Sequence, residues 1–307
     1  MENLKLIAPY PMFGPGAENF PASDESPDGM QSVEWHDRQG GVMIDVKPNI
    51  VYQSLSGEDQ HIQLFTPMSL FAMPGAPAPK YPLLVYVPGS AWHRQNVWMG
   101  LDKAQYFAAH GFAFAIVEYR PTEIGGTFPA QRDDAIAAIE FLKAHAAEYG
   151  IDADNVAVWG DSSGGHTSVW VGIHAPQLVK CVVDWFGPSD IDKMNYYPSG
   201  MDHHGADSPE GFLLGKVNVL ENPELAQVAN PINAISADKP VPPMLIMHGD
   251  KDNVVPFNQS VRLYDALKAN GKDATLYKLL GGGHGSGGFV SDDALALVSE
   301  FVGKYLK

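Results

Sequence analysis

From residue 83 onward the chain alternates between short unbroken apolar runs and longer stretches whose apolar positions recur every three or four residues. Leu83–Val87, Phe112–Tyr119, Asn155–Trp159, Cys181–Phe186, Met244–His248 and Ala274–Lys278 read as strands. Between them, Lys103–His110, Asp133–Tyr149, Gly164–Ile173, Gln259–Asn270 and Asp293–Leu306 read as helices. Gly111 and Gly150 follow two of these helices, where a left-handed cap is expected, and acidic residues open Asp133–Tyr149. Short apolar strands separated by helices predict an α/β architecture, a mostly parallel central sheet covered on both faces. Such sheets carry their active sites at the carboxyl ends of the strands.

The flanks follow a different pattern. Gly41–Val46 and His61–Thr66 alternate weakly and predict antiparallel edge strands, which the proline-rich Met73–Pro82 separates from the core. Residues 1–40, with Pro9, Pro11, Pro15, Pro21 and Pro27, predict an N-terminal arm of little regular structure. Residues 41–307 then form one domain. Its alternation breaks once, over residues 190–240, a polar insertion holding Tyr196, Tyr197, His203 and His204. Lying between two core strands, that insertion suits a cap or lid.

Composition narrows the partners. With 20 basic against 36 acidic residues, the formal charge is −16, and no Lys/Arg run offsets it. Such a field repels phosphate backbones and anionic membranes, so neither nucleic acid nor a membrane is expected as a partner, and a polyanionic substrate is disfavoured. Cys181 is the only cysteine, which rules out an intrachain disulfide and a multi-cysteine zinc site. Its apolar neighbours Val182 and Val183 make it a buried hydrophobe. Neither a signal-peptide pattern nor a run near the roughly 18 apolar residues of a membrane span is present, so a cytoplasmic location is the default expectation. Self-association stays open.

The chemistry starts at Trp159–Gly160–Asp161–Ser162–Ser163–Gly164–Gly165–His166, a Gly-x-Ser-x-Gly pattern between an expected strand and an expected helix. A sharp strand-to-helix turn exposes the Ser162 hydroxyl in a strained conformation, and glycines on either side relieve the crowding. In a chain with 31 glycines the pattern alone is weak, and a glycine-rich turn is the plain alternative. The flanking elements favour a nucleophile.

A serine hydroxyl needs a positioned base. His284, in the loop Gly281–Gly288 after the last strand, is the candidate among eleven histidines. Alone it would read as a solvated loop histidine, but it follows nucleophile and acid in the order this architecture uses. The third member must accept a hydrogen bond from the histidine. Of the two aspartates in His248–Pro256, Asp252 sits further into the loop, whereas Asp250 serves the turn itself. His248 and His166 read as structural. Oxyanion donors are expected from Gly89 and Ser90, after the first buried strand, and from Ser163 behind the nucleophile. Trp92, Trp98, Tyr196, Tyr197 and His203 are candidates for substrate contact, with core packing as the competing role for the aromatics. No metal or organic cofactor is required; the adjacent His203 and His204 lack partners at ligand spacing.

These residues together resemble the α/β-hydrolase esterases related to hormone-sensitive lipase, and most of all the bacterial feruloyl and acetyl esterases labelled BD-FAE. The likeness runs from about Ile50 to the end. It rests on Gly160–His166, on Glu118–Pro121 with Phe128–Gln131, and on His248–Pro256. Ser208–Glu210 to Gly215, Asn222–Glu224 and Asn230–Pro231 add to it. It implies the α/β-hydrolase fold and cleavage of short acyl or aryl esters of carbohydrates or phenolics through a serine acyl-enzyme, with a small-molecule ester as substrate. Asp252 and His284 match the family's acid and base. Pro88 departs from the histidine usual before the oxyanion glycines. Two other readings share the same residues: an arylformamidase or other C–N hydrolase, and a non-catalytic binding protein retaining the fold.

Overall fold

The computed structural model of the chain describes residues 43–68 and 79–306. The arm expected over residues 1–40, and the Met73–Ala78 part of the proline-rich stretch, lie outside the described residues. Among those described, eight strands form one sheet: β1 (Met43–Leu55), β2 (Glu58–Met68), β3 (Tyr81–Val87), β4 (Ala113–Val117), β5 (Ile151–Asp161), β6 (Cys181–Trp185), β7 (Met244–Gly249) and β8 (Ala274–Leu279). Their order is β1-β2-β4-β3-β5-β6-β7-β8. β2 pairs antiparallel with both β1 and β4, and every later pairing is parallel. The parallel sheet predicted from the apolar runs is therefore present, with the expected antiparallel strands at one edge.

Helices α1 (Leu101–Ala109), α2 (Ala130–Ala144), α3 (Ala146–Tyr149), α4 (Ser163–His174), α5 (Pro209–Leu213), α6 (Pro223–Ala229), α7 (Asn258–Ala269) and α8 (Asp292–Tyr305) complete the regular structure. The period-two pleat divides the core between the two faces. Leu83, Val85 and Val87 of β3 pack with Ile139, Val169 and Leu263 beneath α2, α4 and α7. Leu84 and Tyr86, the intervening residues, pack with Phe107 and Val298 of α1 and α8 on the other face. Both faces are covered, which is why the core strands are apolar throughout.

Several boundaries differ from the sequence reading. β5 starts at Ile151, ahead of the expected Asn155, and β2 extends to Glu58 and Met68 beyond His61–Thr66. The helix expected over Asp133–Tyr149 is two helices, α2 and α3, that meet at His145. β1 runs to Leu55, well past the expected Val46, because this edge strand is half-buried or exposed and carries no apolar signal. A two-residue turn closes the hairpin, with Ser56 and Gly57 both at positive φ (56° and 80°). α2 begins at Ala130, ahead of the expected Asp133, following the cis Phe128–Pro129 bond.

Between β6 and β7 the chain leaves the sheet and folds into short turns, α5 and α6. Ile191, Leu213, Val219, Ala226 and Ala229 pack there around Trp92, forming a small separate apolar cluster. Buried polar side chains fasten it to the body. Gln259 of α7 accepts the amides of Ser189 (2.9 Å) and Asp190 (2.7 Å), and Asn230 accepts that of Ile191 (2.7 Å).

Asp184, in β6, is a fully buried carboxyl group; one oxygen accepts the Gly187 amide at 3.0 Å and the other meets no partner among the described residues. Burial, helped by the nearby Asp161 charge, pushes its carboxyl up to about 7. The folded state thus retains a proton that the unfolded chain releases near pH 3.9. Stability should fall as pH rises from about 4 to about 7 and then level off. Asp184→Asn keeps the shape without the charge. Thermal melts should show the variant's Tm rising above the parent's at pH 8, with the gap closing toward pH 4. A gap that did not change with pH would contradict this account.

Candidate active site

The site begins where β5 meets α4. Ser162 holds the turn at φ 53°, ψ −125°, a conformation costly for a residue with a Cβ, and its amide donates to the Trp185 carbonyl at 2.8 Å. The packing explains the flanking glycines. A Cβ on Gly160 would stand 2.1 Å from the Gly164 carbonyl oxygen, and one on Gly164 would stand 1.9 Å from that of Val87. Only bare backbone lets the helix start so close to the strand ends.

Ser162, His284 and Asp252 form one hydrogen-bonded line. His284 Nε2 lies 3.0 Å from Ser162 Oγ, and Nδ1 lies 2.8 Å from Asp252 Oδ2. A carboxylate accepts only, so Nδ1 carries the proton and Nε2 is free to accept from the serine. Burial opposes ionisation of Asp252, but hydrogen bonds from His248 and His284, with the Val254 amide, hold it well below the usual carboxylate range. Its other oxygen takes the Val254 and Val255 amides at 2.8 and 2.9 Å. His248 proves to be more than a turn anchor: its Nε2 lies 3.2 Å from the same Asp252 oxygen that meets His284. Asp250 accepts the Gly281 amide at 2.7 Å and so ties the histidine loop to the aspartate loop.

The expected oxyanion donors differ in what their amides already meet. Gly89 and Ser90 line the cavity, but the Gly89 amide donates to Asp161 Oδ1 at 2.9 Å and that of Ser90 to Ser163 Oγ at 2.9 Å. Ala91 and Ser163 remain: among the described residues neither amide has a hydrogen-bond partner, and both residues line the cavity. Ala91 and Trp92 both take positive φ (56° and 59°), which turns the loop away from a regular path. Tyr119, which lies in the Glu118–Pro121 segment but had no role assigned there, holds this loop. Its hydroxyl lies 2.8 Å from Ser90 Oγ and 3.2 Å from Ser163 Oγ, and burial pushes it up to about 12.

A cavity of about 420 Å³ opens over Ser162. Of the residues expected to contact substrate, Trp92 and His203 line it, and Trp98, Tyr196 and Tyr197 do not. Those three are 48%, 63% and 44% exposed on turns that point into solvent, and the neighbouring Met99 faces the cavity instead of Trp98. Trp92 has a second task. Its Nε1 donates to His166 Nδ1 at 3.3 Å, and His166 Nε2 in turn donates to the Ala229 carbonyl at 2.9 Å. Burial lowers His166 to about 4, so the ring stays neutral in this relay. Tyr86, Lys103, Glu210 and Phe289 also line the cavity. The strand and helix patterns absorbed Tyr86 and Lys103 as ordinary core or surface positions, whereas Glu210 fell in the insertion and Phe289 just past the glycine loop. Among the described residues, no group of three or more His, Cys, Asp or Glu is arranged to hold a metal, and no helix is long and apolar enough to cross a membrane.

Known proteins share this arrangement of elements. A sequence model of the BD-FAE family matches residues 70–267. Esterase LipC of Mycobacterium tuberculosis is 29% identical over 69% of this chain and 54% of its own. The probable carboxylic ester hydrolase LipM of the same organism is 28% identical over 64% and 47%. The chain thus spans about half the length of the curated relatives it matches. Among solved structures, a truncated form of a carbohydrate esterase from gut microbiota is similar with a TM-score of 0.73 at 28% identity, over 87% of this chain and 98% of that one. A propionate-bound esterase of Thermogutta terrifontis has a TM-score of 0.65 at 22% identity, covering 88% and 97%, a likeness of fold alone.

His203, on the cavity wall, meets acceptors at both nitrogens. Glu210 Oε1 lies 3.0 Å from Nδ1, and the Val254 carbonyl lies 2.9 Å from Nε2. Burial disfavours the charged ring, but the Glu210 carboxylate more than offsets this and raises His203 above the ordinary histidine range. The stability this pair supplies is complete below the unfolded value near 6.5 and is lost as pH rises through the folded one. Imidazole NMR should therefore show His203 titrating above free histidine, with Glu210→Gln moving its midpoint down. A parent midpoint at or below that of free histidine would contradict the pairing.

Proposed function

The chain belongs to the BD-FAE family, and from that premise we propose that it hydrolyses carboxylic esters through an acyl-enzyme on Ser162. The observation that carries the reading is the Ser162–His284–Asp252 line, with contacts of 3.0 and 2.8 Å. His284 takes the serine proton as Oγ attacks the carbonyl carbon, and Asp252 stabilises the imidazolium that forms. The amides of Ala91 and Ser163 receive the oxyanion, aided by the N-terminus of α4. His284 then protonates the leaving alcohol. Water, activated by the same histidine, releases the acid and restores the serine.

The favoured substrates carry short acyl or aryl groups on a carbohydrate or phenolic alcohol. The similarity to a carbohydrate esterase supports this class, as does a cavity at the small end of the ligand-pocket range. The segment between β6 and β7 acts as a cap on a single domain, since Pro188, Met201, His203, Pro209 and Glu210 from it form part of the cavity wall.

The test is initial-rate hydrolysis of p-nitrophenyl acetate, butyrate and octanoate, methyl ferulate, acetylated xylose and N-formylkynurenine, with Ser162→Ala as the blank. Ester turnover is expected in the parent and absent from Ser162→Ala. Cleavage of the formamide alone would replace the reading by an arylformamidase, and no cleavage by a binding role. Asp252→Asn should lower kcat by about 10⁴. Asp161 has a positioning role, since its Oδ1 accepts both the Gly89 amide and the Tyr86 hydroxyl. Asp161→Ala should lower kcat by about 10² with a smaller change in KM, and Asp161→Asn, which keeps an acceptor oxygen, should recover most of the loss. Equal losses in the two Asp161 variants would remove the positioning role.

A further inference from the structure

Lysine is rarely buried without a partner. Lys103, on α1, is only 6% exposed, and it lines the same cavity as Ser162. Its Nζ lies 5.3 Å from the ring centroid of Tyr86 and 5.6 Å from that of Trp185. Its one ion-pair partner among the described residues, Asp102 Oδ1, stands 3.6 Å away on a half-exposed side chain, too far for a hydrogen bond. No acceptor among the described residues takes a hydrogen bond from it. Other lysines do find one: Lys143 donates to the Ala153 carbonyl, and Lys272 to that of Ala237 at 3.0 Å.

An ammonium has three N–H donors, and withdrawing them from water with no acceptor is costly. The aromatic faces offset part of that cost by cation–π attraction but supply no directed oxygen. The other acids on the cavity wall are engaged or turned outward. Asp161 Oδ1 is taken by Tyr86 and Gly89, Glu210 is paired with His203, and the Asp102 side chain is 43% exposed.

We propose that Lys103 determines specificity by receiving a single carboxylate borne by the ester substrate, on either its acyl or its alcohol part. This rests on the esterase reading above. The aromatic wall of Tyr86, Trp185 and Phe289 holds the methylene or aryl segment that joins this carboxylate to the ester. One carboxylate, rather than a polyanion, suits a chain whose net charge is −16.

The experiment compares matched esters that differ only in charge. The acyl arm sets the mono-p-nitrophenyl ester of glutaric acid against p-nitrophenyl valerate. The alcohol arm sets the butyrate of 4-hydroxybenzoate against the butyrate of 4-hydroxybenzamide. In the parent, at least one arm should favour the carboxylate in kcat/KM, and added salt should erode that preference. Lys103→Met should reduce the charged-to-neutral ratio about 10–100-fold in that arm, and Lys103→Arg should retain most of it. Hydrolysis of neutral esters with no carboxylate preference in either arm would overturn the role of Lys103 while leaving the esterase reading intact. A ratio unchanged in Lys103→Met would overturn it equally. Because the salt dependence is read on the parent, the test holds even if a variant folds poorly.

Discussion

The contact between the backbone of Gly164 and the carbonyl of Val87, too close for any Cβ, governs the arrangement of the whole site. It brings the first turn of α4 down onto the ends of β3 and β5, which forces Ser162 into its strained conformation and turns the hydroxyl out of the sheet. Once the helix is seated there, the loop after β3 has one course left. Asp161 draws in the Gly89 amide, Ser163 Oγ accepts that of Ser90, and Tyr119 closes over both hydroxyls. The strain at Ser162 is local, but the parts that hold it come from three strand ends. A rigid, buried parallel sheet can keep such a geometry, whereas an isolated turn could not.

Much of the fold was legible because both faces of the sheet are covered. Core strands read as unbroken apolar runs, and their helices as the longer periodic stretches between them. Legibility failed where burial is partial. The outer half of β1 carries no pattern because its side chains face water, and α2 starts before the acidic residues that suggested its beginning. The candidate triad could be picked out from three local motifs and their chain order, since each sits in a loop directly after a strand.

The finer features of the site depend on distances that no motif encodes. Gly89 and Ser90 occupy the loop expected of oxyanion donors, yet their amides already meet Asp161 and Ser163, and only the folded backbone reveals that the Ala91 amide has no partner among the described residues. Trp98, Tyr196 and Tyr197 were attractive because they are aromatic and lie near a strand end or in the insertion, but neither property says which way a side chain points. Lys103 was hidden for the opposite reason. A lysine in an amphipathic helix looks like a surface residue until its neighbours prove to be two aromatic rings.

The relay from Trp92 through His166 to the Ala229 carbonyl bears on how such a protein can diversify. It clamps the far end of the insertion to the helix that carries the nucleophile, while the residues that reach the cavity, from Pro188 to Glu210, lie upstream of that clamp. Substitution or lengthening between Asp190 and Ala229 can reshape the wall while both ends stay held, the near end by Gln259 on the Ser189 and Asp190 amides and the far end by the relay. A graft between relatives should be cut between these two seams, after Asp190 and before Ala229.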